Sequence, residues 1–578
     1  MRSLPSSIVL LHTLLGAAKG QFISPPTDLK TSRGYLNLPV RWKEVPIGTC
    51  ELNPNVKSYS GYVDIASDQH IFFWFFEARN KKPEDAELTV WINGISGPGS
   101  SSMIGLFQEL GPCRVNEDGE VVDNPYAWNN VSNVIFIDQP AQVGFSYSRP
   151  ISGYQSDSGD IIQLPKNECP DYAARTGTCG TYSYPDPSWT ANSTQNAAPG
   201  LWKALQGFMG AFPQYSKTEF NFATESYGGH YGPVFNAYIE SQNALIQKQT
   251  LPGAKHINLK TVLIGNGWFD ARIQYPTYYN FTVNNTYDVP VGTQSIRDQW
   301  LNAAWGPGNC HDKVVKCNTS GDKAVCGDAS QFCTSEAEAP YDEILGRDGY
   351  DIRKLIPDSF LPEFYVDYLN TPKLQKAIGA YTNFSESSNT VGNAFNSVGD
   401  DASELNIVED VRKLVDQSVY VVLYAGDADY ICNWRGGEVV SRHVEAPGFH
   451  QAGYVNISTS DKVVHGQVKQ SANFAYGRIY DSGHEVPFYQ PLASLELFER
   501  AINGLDIATG KIPVQKGCGY KSIGTAKSEY REGNATVQFK VVPTNATNDP
   551  SIDGPVLACN GTKPRTKKRK RIVKPRVS

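Results

Sequence analysis

Hydrophobic residues in this chain of 578 residues gather in short runs that end at glycine, asparagine or aspartate. The runs are rich in β-branched and aromatic residues, which is typical of buried strands. They predict strands over residues 60–65, 71–76, 88–93, 134–140, 261–268, 419–424 and 474–480. Helix-like segments at 103–111 and 198–212 alternate with them. This alternation predicts an α/β fold, with a mostly parallel central sheet and helices on both faces.

Two long stretches depart from this rhythm. Residues 149–190 are rich in glycine, serine, proline and aspartate, which predicts a surface excursion that overhangs a cleft. Residues from about 271 to 412 hold four spaced cysteines and many tyrosines, without the strand and helix alternation. We interpret them as a cap inserted into the sheet domain and as the source of side-chain selectivity.

The two ends of the chain differ from its middle in their pattern of apolar and charged residues. Residues 1–20 have a basic start, an apolar stretch and a small-residue site, the form of a secretory signal; a buried N-terminal helix is the alternative. The mature chain is then expected to begin near Gln21. No later run reaches the roughly 18 apolar residues of a membrane span, and no hydrophobic tail for a lipid anchor is seen, so no stable membrane anchor is expected.

A catalytic domain is expected over residues 21–503, followed by a glycosylated extension over 504–563 and a basic tail over 564–578. The tail has the composition of a nuclear-import or nucleic-acid patch, but an exported chain does not meet that partner. The net charge of -7 also argues against nucleic acid.

Eleven cysteines indicate passage through an oxidising compartment. Ten Asn-x-Ser/Thr sequons, each a predicted glycosylation site, point the same way. They are Asn130, Asn192, Asn280, Asn284, Asn318, Asn383, Asn456, Asn534, Asn545 and Asn560.

Ser226 lies where an apolar run meets a helix-like segment. A nucleophilic serine on a sharp strand-to-helix turn needs small residues two positions away on each side, as in the G-x-S-x-G elbow. Here those positions hold Thr224 and Gly228, so the first is only approximately small. On its own this pattern is also that of an ordinary glycine-rich loop.

A nucleophilic serine also needs a base and an acid that orients the base. In α/β-hydrolases the acid and then the histidine follow the serine, each after a strand. The strand at 419–424 leads to Asp427 and Asp429, and the strand at 474–480 leads to His484. The order of the three groups therefore fits.

Three blocks resemble the signature motifs of the serine carboxypeptidases, and most of all the secreted fungal carboxypeptidase S1 type. The blocks are residues 225–231, residues 424–434 and residues 483–487, and the resemblance extends from about 48 to about 503. It implies an α/β-hydrolase fold in which Ser226 is the nucleophile and His484 the base. The acid is the one three residues before Cys432, which selects Asp429 over Asp427. The resemblance implies peptide or protein substrates with a free C-terminus, and neither cofactor nor metal.

The resemblance also gives roles to three polar residues. Asn93, Glu109 and Glu225 match the group that holds the C-terminal carboxylate of the substrate. Two carboxyls held close together cannot both ionise cheaply, so in acid one or both are protonated and can donate hydrogen bonds to that carboxylate. This implies an exopeptidase with an acidic optimum. For Glu109 alone, a solvated helix position is the simpler interpretation.

The cysteine pattern resembles that of the family's inserted subdomain, which implies the nested disulfides Cys310–Cys333 and Cys317–Cys326. A zinc site is disfavoured because the gaps are wide and no histidine pair accompanies them. Position alone suggests the pairs Cys50–Cys113, Cys169–Cys179 and Cys518–Cys559. Because eleven is an odd number, one cysteine must remain without a disulfide partner, and Cys432 resembles the family's free thiol near the active site.

The loop at residues 94–102 is the expected oxyanion loop, with the N–H groups of Gly97 and Tyr227 as donors. It departs from the family pattern, because Ile95 and Ser96 separate two glycines that are adjacent in the family. Three interpretations remain: a tolerated insertion, a degraded enzyme, and an error in the gene model.

Together these features predict a secreted serine carboxypeptidase, with a vacuolar location as the lesser alternative. An acyltransferase or esterase could use the same triad, since another nucleophile can capture the acyl-enzyme. A catalytically impaired glycoprotein of the same fold is the hypothesis that the insertion supports.

Overall fold

The computed structural model describes residues 21–95, 97–287, 289, 293–338, 346–354, 363–403, 406–514 and 519–528. Its strands are β1 (Lys30–Arg33), β2 (Pro39–Glu44), β3 (Ser58–Ala66), β4 (Gln69–Phe76), β5 (Leu88–Ile92), β6 (Cys113–Val115), β7 (Val121–Asp123), β8 (Asn133–Ile137), β9 (Pro150–Ser156), β10 (Ile161–Gln163), β11 (Gly177–Ser183), β12 (Phe220–Glu225), β13 (Leu259–Gly265), β14 (Tyr420–Gly426), β15 (Tyr454–Ser458), β16 (Val464–Ser471) and β17 (Phe474–Ile479).

The α-helices in the same residues are α1 (Asp171–Arg175), α2 (Thr194–Ala211), α3 (Gly228–Gln247), α4 (Ala271–Val283), α5 (Gln294–Trp305), α6 (Cys310–Ser320), α7 (Lys323–Cys333), α8 (Phe364–Leu369), α9 (Pro372–Ile378), α10 (Asn389–Asn396), α11 (Asp400–Ser403), α12 (Ile407–Asp416), α13 (Trp434–His443), α14 (Val486–Tyr489) and α15 (Pro491–Ile502). Wider π-type turns cover Gly105–Glu109 and Thr334–Glu338.

One sheet organises the fold. Its strand order is β1-β2-β3-β4-β8-β5-β12-β13-β14-β17-β16-β15. The six central strands, from β8 to β17, run parallel to one another. The centre of the sheet is therefore parallel, as predicted, and the flanking strands on both sides add antiparallel pairs, which makes the whole sheet mixed.

Both faces of the sheet are covered. In β4, Phe73 and Phe75 join a core that includes α2 and α3, while Trp74 and Phe76 join a second core on the opposite face. Alternate residues of a strand point to opposite faces, so this run without polar residues is the mark of a strand buried on both sides. Helix α15 closes the second core.

The excursion at 149–190 contains more structure than its composition predicts. Strands β9, β10 and β11 form a small antiparallel sheet, and the Cys169–Cys179 disulfide holds its loop. Within residues 271–412 the regular elements that the structure describes are helices joined by turns and irregular segments, and this region carries the disulfides Cys310–Cys333 and Cys317–Cys326.

Three further features concern the remaining cysteines and the ends of the chain. Cys50 is bonded to Cys113, and Cys432 is a buried free thiol. Residues 1–20, Cys518, the three sequons Asn534, Asn545 and Asn560, and the tail lie outside the described residues. No helix in the described part of the chain is long and apolar enough to cross a membrane.

The boundary at residue 503 is corrected by the packing that follows it. Leu505 and Ile507 are buried in the core, and the N–H of Ile507 donates to Gln470. Farther on, Ser522 and Thr525 bond to the backbone of residues 453 and 454 at the edge of the sheet. The folded domain therefore continues to about residue 528, because this segment covers the β15–β16 edge.

Two glycosylation sites are also corrected. Asn130 is 8 % exposed and its Nδ2 donates to the carbonyl of Pro125. Asn383 is 3 % exposed and its side chain packs against Gly180. A glycan needs an accessible Nδ2 on the surface, so neither position fits one in the folded chain. Asn280, Asn284 and Asn456 are exposed, while Asn192 and Asn318 are half-buried.

Candidate active site

Ser226 occupies a strained turn between β12 and α3. Its φ is 60°, in the left-handed region that residues other than glycine seldom adopt. A Cβ on Gly228 would lie 2.0 Å from Oγ1 of Thr224, so the glycine leaves room for the threonine. This explains how the elbow accepts a residue larger than the pattern requires.

His484 and Asp429 form a buried pair beside this turn. Nδ1 of His484 lies 2.8 Å from Oδ2 of Asp429, and neither side chain is exposed. A carboxylate only accepts, so Nδ1 carries the proton and Nε2 keeps its lone pair. Nε2 has no hydrogen-bond partner among the described residues. This nitrogen is therefore available as a base.

Burial lowers the pKa of His484, but the charge of Asp429 and their hydrogen bond outweigh it, so the pKa lies above its ordinary value. Asp427, the competing acid, instead accepts from Tyr287 at 2.6 Å and lies 3.3 Å from Arg478. The structure thus places Asp429, and not Asp427, against the histidine.

Asn266 holds the acid and was missed in the sequence. Its Nδ2 donates to Oδ2 of Asp429 at 2.7 Å, and its Oδ1 accepts from the N–H of Gly426. The available signal was its position directly after β13, since polar residues at the carboxyl ends of parallel strands often serve a site.

The Cys432 thiol lies next to the same acid. Burial, and then the charge of Asp429, raise the pKa of Cys432 well above its usual range, so the thiol stays neutral and is a poor nucleophile. Ligand atoms of Asp429, Cys432 and His484 lie within 4.8 Å of one another. Two of the three are already hydrogen-bonded to each other, which suits a triad better than a metal site.

Asn93, Glu109 and Glu225 form one buried cluster, and Glu225 directly precedes Ser226. Nδ2 of Asn93 donates to Glu225 at 2.9 Å and to Glu109 at 3.4 Å. Oδ1 of Asn93 accepts from Trp91 and from the N–H of Gly105, which fixes the orientation of the amide.

The two glutamates resist ionisation. Burial raises the pKa of Glu109 to about 7. Burial, together with the neighbouring Glu109, raises the pKa of Glu225 well above its ordinary value. Oε2 of Glu109 has no partner among the described residues. At acidic pH the cluster therefore has a carboxyl group able to donate a hydrogen bond.

Glu485, directly after His484, is a second residue whose place in the site was missed in the sequence. It is buried, its Oε2 has no partner in the described chain, and burial raises its pKa to about 8. The signal was its place next to His484, but the sequence does not reveal that the side chain is buried.

The oxyanion loop differs from expectation. The N–H of Gly97 donates to the carbonyl oxygen of Gly94 at 3.0 Å, and the N–H of Tyr227 approaches the same oxygen at 3.3 Å. Both expected donors are therefore engaged, and the prediction that Gly97 and Tyr227 offer a ready-made oxyanion hole is wrong for this arrangement. The cause is the backbone bond between Gly94 and Gly97, which a loop without the insertion could not make.

The cap contacts the site. Asp400 of α11 accepts from the hydroxyl of Tyr227 at 2.7 Å and from Oγ1 of Thr194 at 2.6 Å. Its neighbour Asp401 accepts from Tyr275 and Trp268. Ser226 opens onto a cavity of about 260 Å³ that Asp401 also lines.

Comparison with known proteins agrees with this site. The family model for the serine carboxypeptidases matches residues 48–504. Carboxypeptidase S1 homolog A of Arthroderma otae is 38% identical over 563 residues, covering 90% of this chain and 85% of the relative. Carboxypeptidase S1 of Penicillium janthinellum is 38% identical over 465 residues, covering 80% and 99%.

A solved structure agrees in fold. Kex1(delta)p, a prohormone-processing carboxypeptidase from Saccharomyces cerevisiae, is similar with a TM-score of 0.60 at 21% identity, covering 83% of this chain and 97% of its own. The predicted α/β-hydrolase fold is confirmed. The chain belongs to the serine carboxypeptidase family, a family of hydrolases that act as exopeptidases.

Proposed function

We propose that this protein removes single C-terminal amino acids from peptides and proteins through an acyl-enzyme on Ser226. The observation that carries the proposal is the cluster of Asn93, Glu109 and Glu225, whose last member precedes the nucleophile. It sets a carboxylate-binding group one residue from the reacting hydroxyl, which an endopeptidase or general esterase does not need.

The chemistry follows from the roles of the three groups. Nε2 of His484 takes the proton of Ser226 as Oγ bonds to the carbonyl carbon of the last peptide bond, whose oxygen becomes an oxyanion. When the C–N bond breaks, the imidazolium returns that proton to the departing amine, and one amino acid is released. Water, deprotonated by the same nitrogen, then hydrolyses the ester and frees the shortened peptide. Asp429 holds the tautomer throughout.

Activity is expected to be favoured at acidic pH. Glu109 and Glu225 hold protons in acid and can donate to the substrate carboxylate, whereas in their ionised form they repel it. His484 must be neutral to act as a base, and its raised pKa opposes activity at the most acidic end. The optimum therefore lies where both requirements are met.

Export to the cell exterior is part of the proposal. The described residues hold four disulfides, and the remaining sequons are mostly exposed. The signal-like residues 1–20 point in the same direction.

A second candidate is a catalytically impaired protein of the same fold. Its support is the Gly94 carbonyl, which faces both expected oxyanion donors. Incubation with a peptidyl phosphonofluoridate separates the two candidates. Phosphonylation of Ser226, seen by mass spectrometry and absent in Ser226→Ala, supports the active enzyme. A parent protein that gains no phosphonyl group at Ser226 argues for the impaired protein. An esterase or an acyltransferase would also be labelled at Ser226, but it would not release amino acids from peptides.

A further inference from the structure

The Gly94 carbonyl oxygen occupies the place that a substrate oxyanion needs. It lies 3.0 Å from the nitrogen of Gly97 and 3.3 Å from the nitrogen of Tyr227. An oxyanion must come within about 2.7–3.1 Å of its donors. Two oxygens cannot share that point, and the partial negative charge of a carbonyl repels a developing oxyanion. Catalysis therefore requires the Gly94 carbonyl to leave.

The insertion is what allows this arrangement. The bond from Gly97 to Gly94 joins residues three apart, the spacing of a β-turn. Where two glycines are adjacent, the N–H of the second belongs to the same peptide unit as the carbonyl of the first. In a trans peptide these groups point in opposite directions. In such a loop the carbonyl of the first glycine therefore cannot accept a hydrogen bond from the N–H of the second.

In this chain the residue that directly follows Gly94 is Ile95. We propose that the backbone N–H of Ile95, together with that of Tyr227, binds the oxyanion, and that it enters the site when the Gly94–Ile95 peptide rotates by about 180°. The rotation exchanges the two edges of a planar peptide, so the carbonyl turns out as the N–H turns in. This inference rests on the proposed carboxypeptidase function.

Packing holds the residues on both sides of the Gly94–Ile95 peptide in place, so the peptide group itself can rotate between them. A Cβ at Gly94 would lie 2.6 Å from the backbone of Glu225, Tyr227 and Gly228, so its Cα is packed against the elbow. Ile95 is 8 % exposed and packs in the core on that side of the sheet. The peptide between these two anchors can turn through ψ of Gly94 and φ of Ile95.

Ile95 also determines which arrangement is favoured. Ile95 is not one of the described non-glycine residues that have a positive φ. A rotation of about 180° carries φ into the positive region, which a β-branched residue strongly avoids. The isoleucine therefore holds the loop with the carbonyl in the site, and the form with the N–H in the site is the minor one.

Substitutions at residue 95 test this mechanism by kcat and KM on N-blocked dipeptides. Ile95→Gly relieves the strain at positive φ and is expected to raise kcat about tenfold. Ile95→Ala, which loses the same packing but keeps a Cβ, is the matched variant and should gain less. Ile95→Pro has no N–H and should lower kcat by about 10²- to 10³-fold with little change in KM. Thermal unfolding checks that each variant folds.

Deletion of Ile95 and Ser96 restores adjacent glycines and is expected to raise kcat as well. If Ile95→Pro keeps the parent kcat, or Ile95→Gly gains no more than Ile95→Ala, the assignment of Ile95 is overturned.

The direct test is a crystal structure of the phosphonylated protein. In that adduct Oγ of Ser226 is bonded to phosphorus, fluoride has left, and the serine proton has passed to His484. We expect the phosphonyl oxygen within about 3 Å of the nitrogens of Ile95 and Tyr227, with the Gly94 carbonyl turned away. A phosphonyl oxygen bound by Gly97 overturns this inference and leaves the proposed function standing. A parent that forms no adduct at Ser226 contradicts both.

Discussion

Asp429 and His484 are joined by a 2.8 Å hydrogen bond between two side chains that solvent does not reach. The bond fixes the proton on Nδ1 and leaves Nε2 as the base. Asp429→Asn can donate to Nδ1 and so favours the wrong tautomer. We expect kcat to fall on the order of 10⁴-fold, with KM and the melting temperature nearly unchanged.

Asp427→Asn is the matched control, because Asp427 is equally buried and two residues away. It pairs with Arg478, and weakening a buried ion pair costs on the order of 3 kcal/mol of unfolding free energy. A lower melting temperature is expected without the 10⁴-fold loss of kcat. Equal losses of kcat in both variants would refute the assignment of the acid.

The proposed carboxylate-binding role of Asn93, Glu109 and Glu225 predicts a pH-dependent KM. Below a pH of about 7 Glu109 keeps its proton and donates to the substrate, and as the pH rises through this value it ionises and repels the substrate carboxylate. KM for a dipeptide with a free C-terminus should therefore rise with pH, by up to tenfold per pH unit for each proton lost.

Glu109→Gln keeps a donor at every pH and should flatten this rise. A C-terminally amidated dipeptide, which has no carboxylate to repel, should show no such dependence. A parent KM that stays constant from acidic to alkaline pH contradicts the role of the cluster.

The cap disulfides should stabilise the region that borders the cleft. Cys310–Cys333 closes a loop of 23 residues, for which chain entropy gives about 3 kcal/mol. The double variant Cys310→Ala/Cys333→Ala is expected to be cleaved faster by proteases within residues 271–412, while the sheet keeps its protection. Unchanged cleavage kinetics would show that packing alone holds these helices.

Asp401 predicts a preference among substrate side chains. Its carboxyl lines the same cavity as Ser226, and a carboxylate there attracts a cationic side chain. Burial raises the pKa of Asp401, so the attraction should grow as the pH rises and the group ionises. Asp401→Asn should lower kcat/KM for lysine- and arginine-containing dipeptides about tenfold relative to leucine-containing ones. An equal loss on all substrates would indicate that Asp401 only holds Trp268 and Tyr275.

The sequence predicts strands such as β4, β5 and β14 well because each consists mostly of apolar residues. It fails at β16, where His465, Gln467 and Lys469 are buried with partners that only the fold supplies. It also fails beyond residue 503, because a polar segment can cover a sheet edge through backbone bonds that leave no hydrophobic pattern.

The sequence likewise predicts some residues of the candidate site and misses others. Ser226, Asp429 and His484 lie in short motifs whose spacing is visible in the chain. The role of Asn266 depends on two strands lying side by side, which are more than 150 residues apart along the chain. The direction of the Gly94 carbonyl is set by hydrogen bonds across the elbow, so the insertion could be noticed in the sequence but not interpreted.

Release of the C-terminal amino acid from N-blocked dipeptides at acidic pH tests the central claim most directly. The account predicts that the parent releases the amino acid from a dipeptide with a free carboxylate and much less from its amide, and that Ser226→Ala releases none. Release that persists in Ser226→Ala, or equal cleavage of the amide, would contradict a serine carboxypeptidase that recognises the C-terminal carboxylate.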